Sequence, residues 1–146
     1  MDAVPTIRFA LGEGPESPRA LPDSTKLVEE CLRRNLTHIN LDWNGMFTVG
    51  LPIEDDIRFL LEDYQTLLEA PPSSTWEQVI WLNDGTLVVK AKAVGESVTL
   101  DIAHTPHLHA PLREKRQVVT TDQEYRRGWH GMIADLIHVM ESPDRH

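Results

Sequence analysis

The sequence predicts an α+β fold in which a single antiparallel sheet, made of one hairpin and a three-strand meander, packs against three amphipathic helices, the last of them C-terminal. Segments of alternating apolar and polar residues flank Asn44-Gly45, the two-residue signature of a tight hairpin. Further alternating segments over residues 76–103 indicate the meander, and apolar residues spaced three and four apart mark the helices. Strands joined by such short turns pair antiparallel, which favours α+β over a doubly wound fold.

The N-terminal part of the chain predicts one strand and one helix. Apolar residues alternate in Thr6–Leu11, whereas the glycine- and proline-rich residues 12–22 predict a loop. Asp23 or Ser24 is suited to cap a helix, because a short side-chain oxygen accepts hydrogen bonds from the first N–H groups. Asn35 is suited to end that helix, since Asn tolerates left-handed backbone. The apolar face of the helix consists of Leu27, Val28, Cys31 and Leu32.

The middle of the chain predicts the hairpin and a second helix. The hairpin covers Thr37–Leu51, and Pro52 ends its return strand. The helix over Glu54–Glu69 has three acidic residues in its first turn, where the helix dipole favours negative charge. Residues 71–75 then form a stiff connector. The apolar stripe of the helix consists of Ile57, Leu60, Leu61, Tyr64, Leu67 and Leu68.

The C-terminal half predicts the meander, an edge strand and a long helix. The turn Asn83-Asp84-Gly85 joins the first two strands of the meander, and Thr121-Asp122-Gln123-Glu124 has the capping-box pattern of a helix start. That helix reaches about Met140. The other segments are Trp76–Leu82, Thr86–Ala93 and Ser97–Ala103 for the meander, residues 104–112 for a loop, Lys115–Thr120 for the edge strand and residues 142–146 for a frayed tail.

Length and composition predict one soluble domain over residues 1–146. Apolar residues make up 40% of the chain and charged residues 25%, the profile of an ordinary globular protein. The chain contains no apolar run long enough to cross a membrane and no signal-peptide pattern after Met1, so we expect a cytoplasmic protein. Cys31 is the only cysteine, which excludes an internal disulfide and a multi-cysteine zinc site.

The charge of the chain is strongly negative and unevenly distributed. The net charge is −9, and residues 1–75, with 13 acidic and 6 basic side chains, account for −7 of it. A negative field repels phosphate backbones, so nucleic-acid binding is not expected. The same field favours a basic protein partner, although it also serves solubility.

Three histidines lie close together in the predicted loop. His104, His107 and His109 have the spacing H-x2-H-x-H, and neutral imidazole is a common ligand of zinc and nickel. In extended backbone His107 and His109 point the same way, which suits chelation. No carboxylate or thiol at close spacing completes the set. The pattern therefore predicts either a zinc or nickel site or a solvated loop that happens to contain histidines.

An acidic helix surface is the main candidate for partner binding. On the helix over 54–69, the side opposite the apolar stripe includes Asp55, Phe59 and Glu62, with Asp63 at its edge. An aromatic side chain surrounded by carboxylates has the composition of a protein-binding surface. The alternative is that Phe59 packs under another element. Trp81 is the second candidate, because it is predicted on the face of its strand opposite Ile80, where it lies either in a partner surface or under a second layer.

No motif specifies a reaction. The sequence has no G-x-S-x-G motif and no glycine-rich phosphate loop, and Cys31 lies on an apolar helix face, which favours an inert thiol. Gly128 and Gly131 interrupt the last helix. Such glycines sometimes permit close approach of another backbone, and Gly131, which projects away from the Trp129 face, is interpreted as tolerated there rather than as lying under a partner.

The order of elements resembles small acidic immunity-type proteins of bacterial polymorphic toxin systems. The resemblance rests on the hairpin Ile39–Val49, the helix Ile57–Leu68, the meander Trp76–Ala103 and the helix Tyr125–Met140. It covers about two thirds of the chain as a pattern, without shared catalytic residues. It implies a cytoplasmic inhibitor that occupies the active site of a toxin or a surface beside it.

Taken together, the sequence predicts a non-enzymatic protein-binding module of immunity or inhibitor type that binds a basic partner. The alternative is a metal- or small-ligand-binding protein that uses His104, His107 and His109. A monomer or a homodimer is expected, and a third interpretation is a homo-oligomer that pairs through the edge strand Lys115–Thr120.

Overall fold

A computed structural model describes residues 4–18, 20–21, 23–105 and 114–141. They form an α+β structure with three helices and two sheets. None of the helices within these ranges combines the length and the apolar character that crossing a bilayer requires. The predicted tail 142–146 and residues 106–112 of the predicted loop lie outside the described ranges.

The first sheet has three strands and contains a parallel pair. Its strands are β1 (Thr6–Phe9), β2 (His38–Trp43) and β3 (Phe47–Pro52), in the order β1-β2-β3. Helix α1 (Ser24–Arg33) lies between β1 and β2 in the chain, and this crossover lets the two strands run parallel. The hairpin of β2 and β3 is antiparallel, as predicted, and its turn residues Asn44 and Gly45 both have positive φ.

The helix ends follow the predicted caps. The Asp23 side chain accepts hydrogen bonds from Thr25 and Lys26 N–H at the start of α1, and Asn35 has the left-handed φ of 60° after its end. The second helix begins as a π-helical turn over Ile53–Ile57 and continues as α2 (Arg58–Glu69). The predicted boundary is therefore close, but the first turn is wider than an α-helical one.

The second sheet is a four-strand antiparallel meander. Its strands are β4 (Trp76–Leu82), β5 (Leu87–Val94), β6 (Ser97–His104) and β7 (Glu114–Thr121), in that spatial order. The expected edge strand is confirmed as β7. Helix α3 (Asp122–Glu141) follows directly, and the capping-box pair is in contact: Glu124 N–H donates to Thr121 Oγ1 over 3.1 Å, and the Thr121 hydroxyl, in place of its backbone N–H, donates to Glu124 Oε1 over 3.2 Å.

The prediction of a single sheet is wrong, and so is the prediction that it is wholly antiparallel. β3 continues into the π-helical turn and α2, and β4 starts a separate sheet rather than pairing with β3. Alternation along a strand shows which side chains face the core, but not which strands are neighbours. The buried faces of the two sheets and the three helices share one hydrophobic core.

Helix α3 supplies the largest buried side chains of that core. Trp129 and Tyr125 have no exposed surface. The Trp129 ring stacks on Tyr64 of α2 with centroids 5.9 Å apart and meets the edge of Phe9 of β1 at 6.5 Å. Phe9 also stacks on Trp43 of β2 at 5.0 Å. Aromatic contacts therefore connect α3 to the first sheet and to α2 at the same point.

The glycines of α3 allow the N-terminal segment to lie directly on the helix. A Cβ atom on Gly128 would come within 2.8 Å of the Phe9 ring, and one on Gly131 within 3.2 Å of Gly14 Cα. A Cβ on Gly14 would lie 1.8 Å from the Arg127 carbonyl oxygen. Gly131 therefore lies in close contact with the backbone of the same chain and is not merely tolerated in the helix, whereas Gly128 leaves room for an aromatic side chain.

We predict that Gly14→Ala destabilises the protein strongly. The new methyl group would overlap the Arg127 carbonyl, and relieving the overlap would displace the segment from α3. We expect a loss of about 1–3 kcal/mol in the free energy of unfolding, measured by urea denaturation. Gly50→Ala is the control, since nothing lies within 4 Å of its Cβ position and its φ is not positive. Equal midpoints for the two variants would contradict the close packing.

Candidate functional site

The exposed side of α2 carries an aromatic ring between carboxylates. Phe59 is 50% exposed, and Asp55 and Glu62 are exposed beside it. Separations of four and three residues place all three on one side of the helix. The alternative that Phe59 packs under another element of the described chain is therefore wrong. We call Asp55, Phe59 and Glu62 the acidic aromatic face.

Asp63 occupies the border between this face and the core. Its side chain is half-buried, and its carbonyl oxygen accepts a hydrogen bond from Gln78 Nε2 of β4 over 2.7 Å. Burial, with a smaller effect of the Glu62 charge, raises the pKa of Asp63 to about 6. Gln78 in turn accepts from the Tyr125 hydroxyl over 2.6 Å, so this bond series joins α2, β4 and α3.

Asp56 is a buried carboxylate that the sequence interpretation missed. Its Oδ2 atom accepts a hydrogen bond from Asn83 N–H over 2.9 Å. Burial raises the pKa of Asp56 to about 6, against the lowering effect of that hydrogen bond. The helical spacing could have identified it, because Asp56 stands four residues before Leu60 and eight before Tyr64 on the apolar stripe.

Trp81 lies on the exposed face of β4 and borders the same turn. It is 57% exposed, and a Cβ on Gly85 would lie 2.5 Å from its ring. The indole therefore lies over Gly85, which also has a φ of +85°. Since Asn83 N–H donates to Asp56, the turn Asn83–Gly85 contacts both the start of the second helix and the Trp81 ring.

His104 is placed by packing against the first sheet. Its ring stacks on Phe47 with centroids 4.4 Å apart, and its Nδ1 atom is buried without a hydrogen-bond partner among the described residues. Burial lowers the pKa of His104, and the Glu114 charge raises it to a lesser extent. A neutral imidazole is the form that binds a metal.

The proposed zinc or nickel site cannot be assembled from the described part of the chain. His107 and His109 lie outside it, and within it no group of three metal-binding side chains occurs. The metal site at His104, His107 and His109 therefore stays a prediction.

His130 and Cys31, the other side chains that could take part in chemistry, are buried and make contacts within the fold. The ring of the buried His130 donates from Nδ1 to the Pro15 carbonyl over 2.8 Å, which ties the N-terminal segment to α3. Burial raises the pKa of the Cys31 thiol, which contacts Met140 Sδ. A protonated, buried thiol is a poor nucleophile, as the sequence predicts.

A cleft of about 390 Å³ beside the start of α3 is lined by Arg126 and Asp122, which form an ion pair. Arg126 Nε donates to Asp122 Oδ2 over 2.9 Å, and the guanidinium also donates to the carbonyls of Leu67 and Ala70 at the end of α2. The Leu67 carbonyl also accepts from Ala70 N–H over 3.2 Å, whereas the Ala70 carbonyl lies where a helix end leaves such groups unpaired. The Arg126–Asp122 pair therefore holds the C-terminal end of α2 rather than offering a free charge.

Comparisons with known proteins leave the family open: no protein-family model matches the chain, and the searches of curated proteins and of solved structures give no match. The resemblance to immunity-type proteins therefore stays a prediction.

We predict that Asp63→Asn stabilises the protein at neutral pH but not in acid. A carboxyl with a pKa of about 6 when folded and about 3.9 when unfolded binds its proton more tightly in the folded state. Its contribution to the free energy of unfolding is thus present below about pH 4 and lost as the pH rises through about 6. Asparagine does not ionise, so the variant does not lose this stability as the pH rises. The variant should be roughly 1–2 kcal/mol more stable at pH 7.5, allowing for partial solvent screening.

Urea denaturation of the wild type and of Asp63→Asn at pH 4 and at pH 7.5 measures this effect. The quantity compared is the difference in free energy of unfolding between the two proteins at each pH. Glu69→Gln, at an exposed carboxylate of the same helix, controls for the loss of one negative charge. A gap that is the same at both pH values would show that Asp63 carries no burial penalty.

Proposed function

We propose that this chain is a non-enzymatic binding protein that recognises a basic protein partner through the acidic aromatic face. The observation that carries the proposal is the half-exposed Phe59 between the exposed carboxylates of Asp55 and Glu62. An aromatic ring that is already partly out of water gains further apolar burial on binding. Carboxylates around it select a positively charged surface and accelerate the encounter.

The helix that carries this face is held at both ends. At its start Asp56 accepts a hydrogen bond from Asn83, and at its end Arg126 donates to the Leu67 and Ala70 carbonyls. In the middle, Tyr64 is fully buried. A surface presented on a rigid element loses little conformational entropy on binding, so more of the interaction energy appears as affinity.

The charge of the whole chain supports the same class of partner. A net charge of −9 attracts a basic protein over distances of about a Debye length, which is about 8 Å at physiological salt. An inhibitor that occupies a basic toxin surface, as immunity-type proteins do, would use this combination of long-range attraction and an aromatic anchor. The exposed Trp81 indole, which lies over Gly85 of the turn that also bonds Asp56, is the second candidate contact for such a partner.

We predict that Phe59→Ala and Glu62→Lys each weaken binding to the basic partner. A protein captured on the immobilised wild-type chain is purified, and its Kd is measured by calorimetry with each variant. Loss of the aromatic anchor should raise the Kd by roughly tenfold or more. Charge reversal at Glu62 should slow association and reduce the dependence of affinity on salt.

Matched controls lie on α1. Leu32→Ala removes a similarly exposed apolar side chain, and Glu29→Lys reverses an exposed carboxylate on a different helix. Both controls should bind within about twofold of the wild type. If Phe59→Ala and Glu62→Lys also bind as tightly as the wild type, the partner does not use this face and the site assignment is wrong.

A further inference from the structure

The outer face of the second sheet is a surface that no described element covers. Its side chains form cross-strand rows across β4 to β7. One row is Trp81, Val88, Ala103 and Lys115, and the next is Val79, Lys90, Asp101 and Gln117. Trp81 and Val79 are both more than half exposed. An antiparallel sheet with one solvated face normally has polar side chains there, so two large apolar residues are unusual.

A shallow groove of about 580 Å³ runs along these two rows between β5 and β7. Val88 and Ala103 form its apolar floor, and Val88 pairs directly with Trp81. The positively charged side chains of Lys90, Lys115 and Arg116 line it. The groove is therefore apolar at its base and basic at its margins.

The described residues that line the groove carry a net positive charge, whereas the whole chain is negatively charged. Among the described residues that line the groove, Asp101 is the only one with a carboxylate, and Asp101 Oδ1 already accepts a hydrogen bond from Gln117 Nε2 over 2.9 Å. Within the described residues, Lys90 and Lys115 have no ion pair. By contrast, Lys92, one row away on β5, pairs with Glu77 over 3.4 Å. Unpaired positive charges thus gather around the apolar floor of a chain whose net charge is −9.

We propose that this groove binds an acidic segment of a partner protein in extended conformation. Carboxylates of the segment would meet Lys90 and Lys115, and its apolar side chains would pack on Val88 and Trp81. The two rows are two residues apart along the strands, which is about 7 Å. Alternate side chains of an extended peptide lie on one face with the same spacing, so a segment whose alternate positions include both acidic and apolar residues presents both kinds of side chain to the groove.

Two other occupants fit less well. A nucleic acid would meet the same cations, but the long-range field of a chain with a charge of −9 opposes a polyphosphate. A second copy of this chain could place its acidic aromatic face in the groove. That contact would be heterologous and head-to-tail, and such contacts form closed rings only for particular rotations.

This inference goes beyond the proposed function, because it concerns a different surface with the opposite charge. The acidic aromatic face and the basic groove have no charged residue in common. Substitutions in the groove therefore leave the charges of the acidic aromatic face unchanged, and the reverse also holds. Each of the two proposed binding surfaces can thus be disproved independently of the other.

The test titrates the full-length ¹⁵N-labelled chain with a short synthetic peptide that carries Glu, Val and Asp at alternate positions, on one face of the extended chain, and Thr at the positions between them. Amide shifts should change at Val88, Lys90, Ala103 and Lys115, and added salt should weaken binding. The double variant Lys90→Glu/Lys115→Glu should bind the peptide roughly tenfold or more weakly. Lys92→Glu makes the same charge change outside the groove, and its affinity should stay within about twofold of the wild type.

Several results would overturn the proposal. They are the absence of shifts in the groove, equal binding of a peptide with Lys and Arg at the acidic positions, and an equal loss of affinity in Lys92→Glu. Tighter binding of a single-stranded oligothymidylate at the same residues would assign the groove to nucleic acid. Self-association by light scattering that Lys90→Glu/Lys115→Glu abolishes would assign it to a second copy. The neutral variant Lys90→Gln/Lys115→Gln, checked by circular dichroism, separates lost charge from lost folding.

Discussion

The N-terminal segment lies directly against the backbone of helix α3, and this close approach fixes the first sheet on the helix. Gly14 lies against the helix backbone at Gly131, and Gly128 leaves room for the Phe9 ring. Arg127 Nε then donates to the Gly14 carbonyl over 2.8 Å, and His130 donates to Pro15. These contacts hold β1, the edge strand of the first sheet, on α3. They add to the aromatic contacts of Phe9 with Tyr125 and Trp129, which join the same two elements.

Around this core the molecule separates its charges. The acidic aromatic face lies on α2, whereas the unpaired lysines lie on the outer face of the second sheet. The turn Asn83–Gly85 contacts both elements, since Asn83 N–H donates to Asp56 and the Trp81 ring of β4 lies over Gly85. A partner that reached both surfaces would need a basic region and an acidic segment. Such a charge pattern discriminates against partners of uniform charge, because one of the two surfaces always repels them.

Local features of the fold were predictable because they depend on neighbours in the sequence. The hairpin at Asn44-Gly45, the cap at Asp23 and the capping box at Thr121 all involve contacts within a few residues. The partition into two sheets was not predictable, since alternation is the same for any choice of neighbouring strand. The parallel pairing of β1 with β2 also depends on where α1 packs, and no local pattern specifies that.

Helical spacing in the sequence was enough to place Phe59 and Glu62 on the exposed side of α2, because that spacing is a local property. It was not enough for residues at the boundary between surface and core, whose environment depends on the tertiary structure. The burial of Asp56 and Asp63 arises from elements that arrive from elsewhere in the chain, and so does the close contact of Gly131 with Gly14. The basic groove likewise exists only because strand register brings Lys90 and Lys115 around the same apolar floor, and register across strands depends on packing at long range in the sequence.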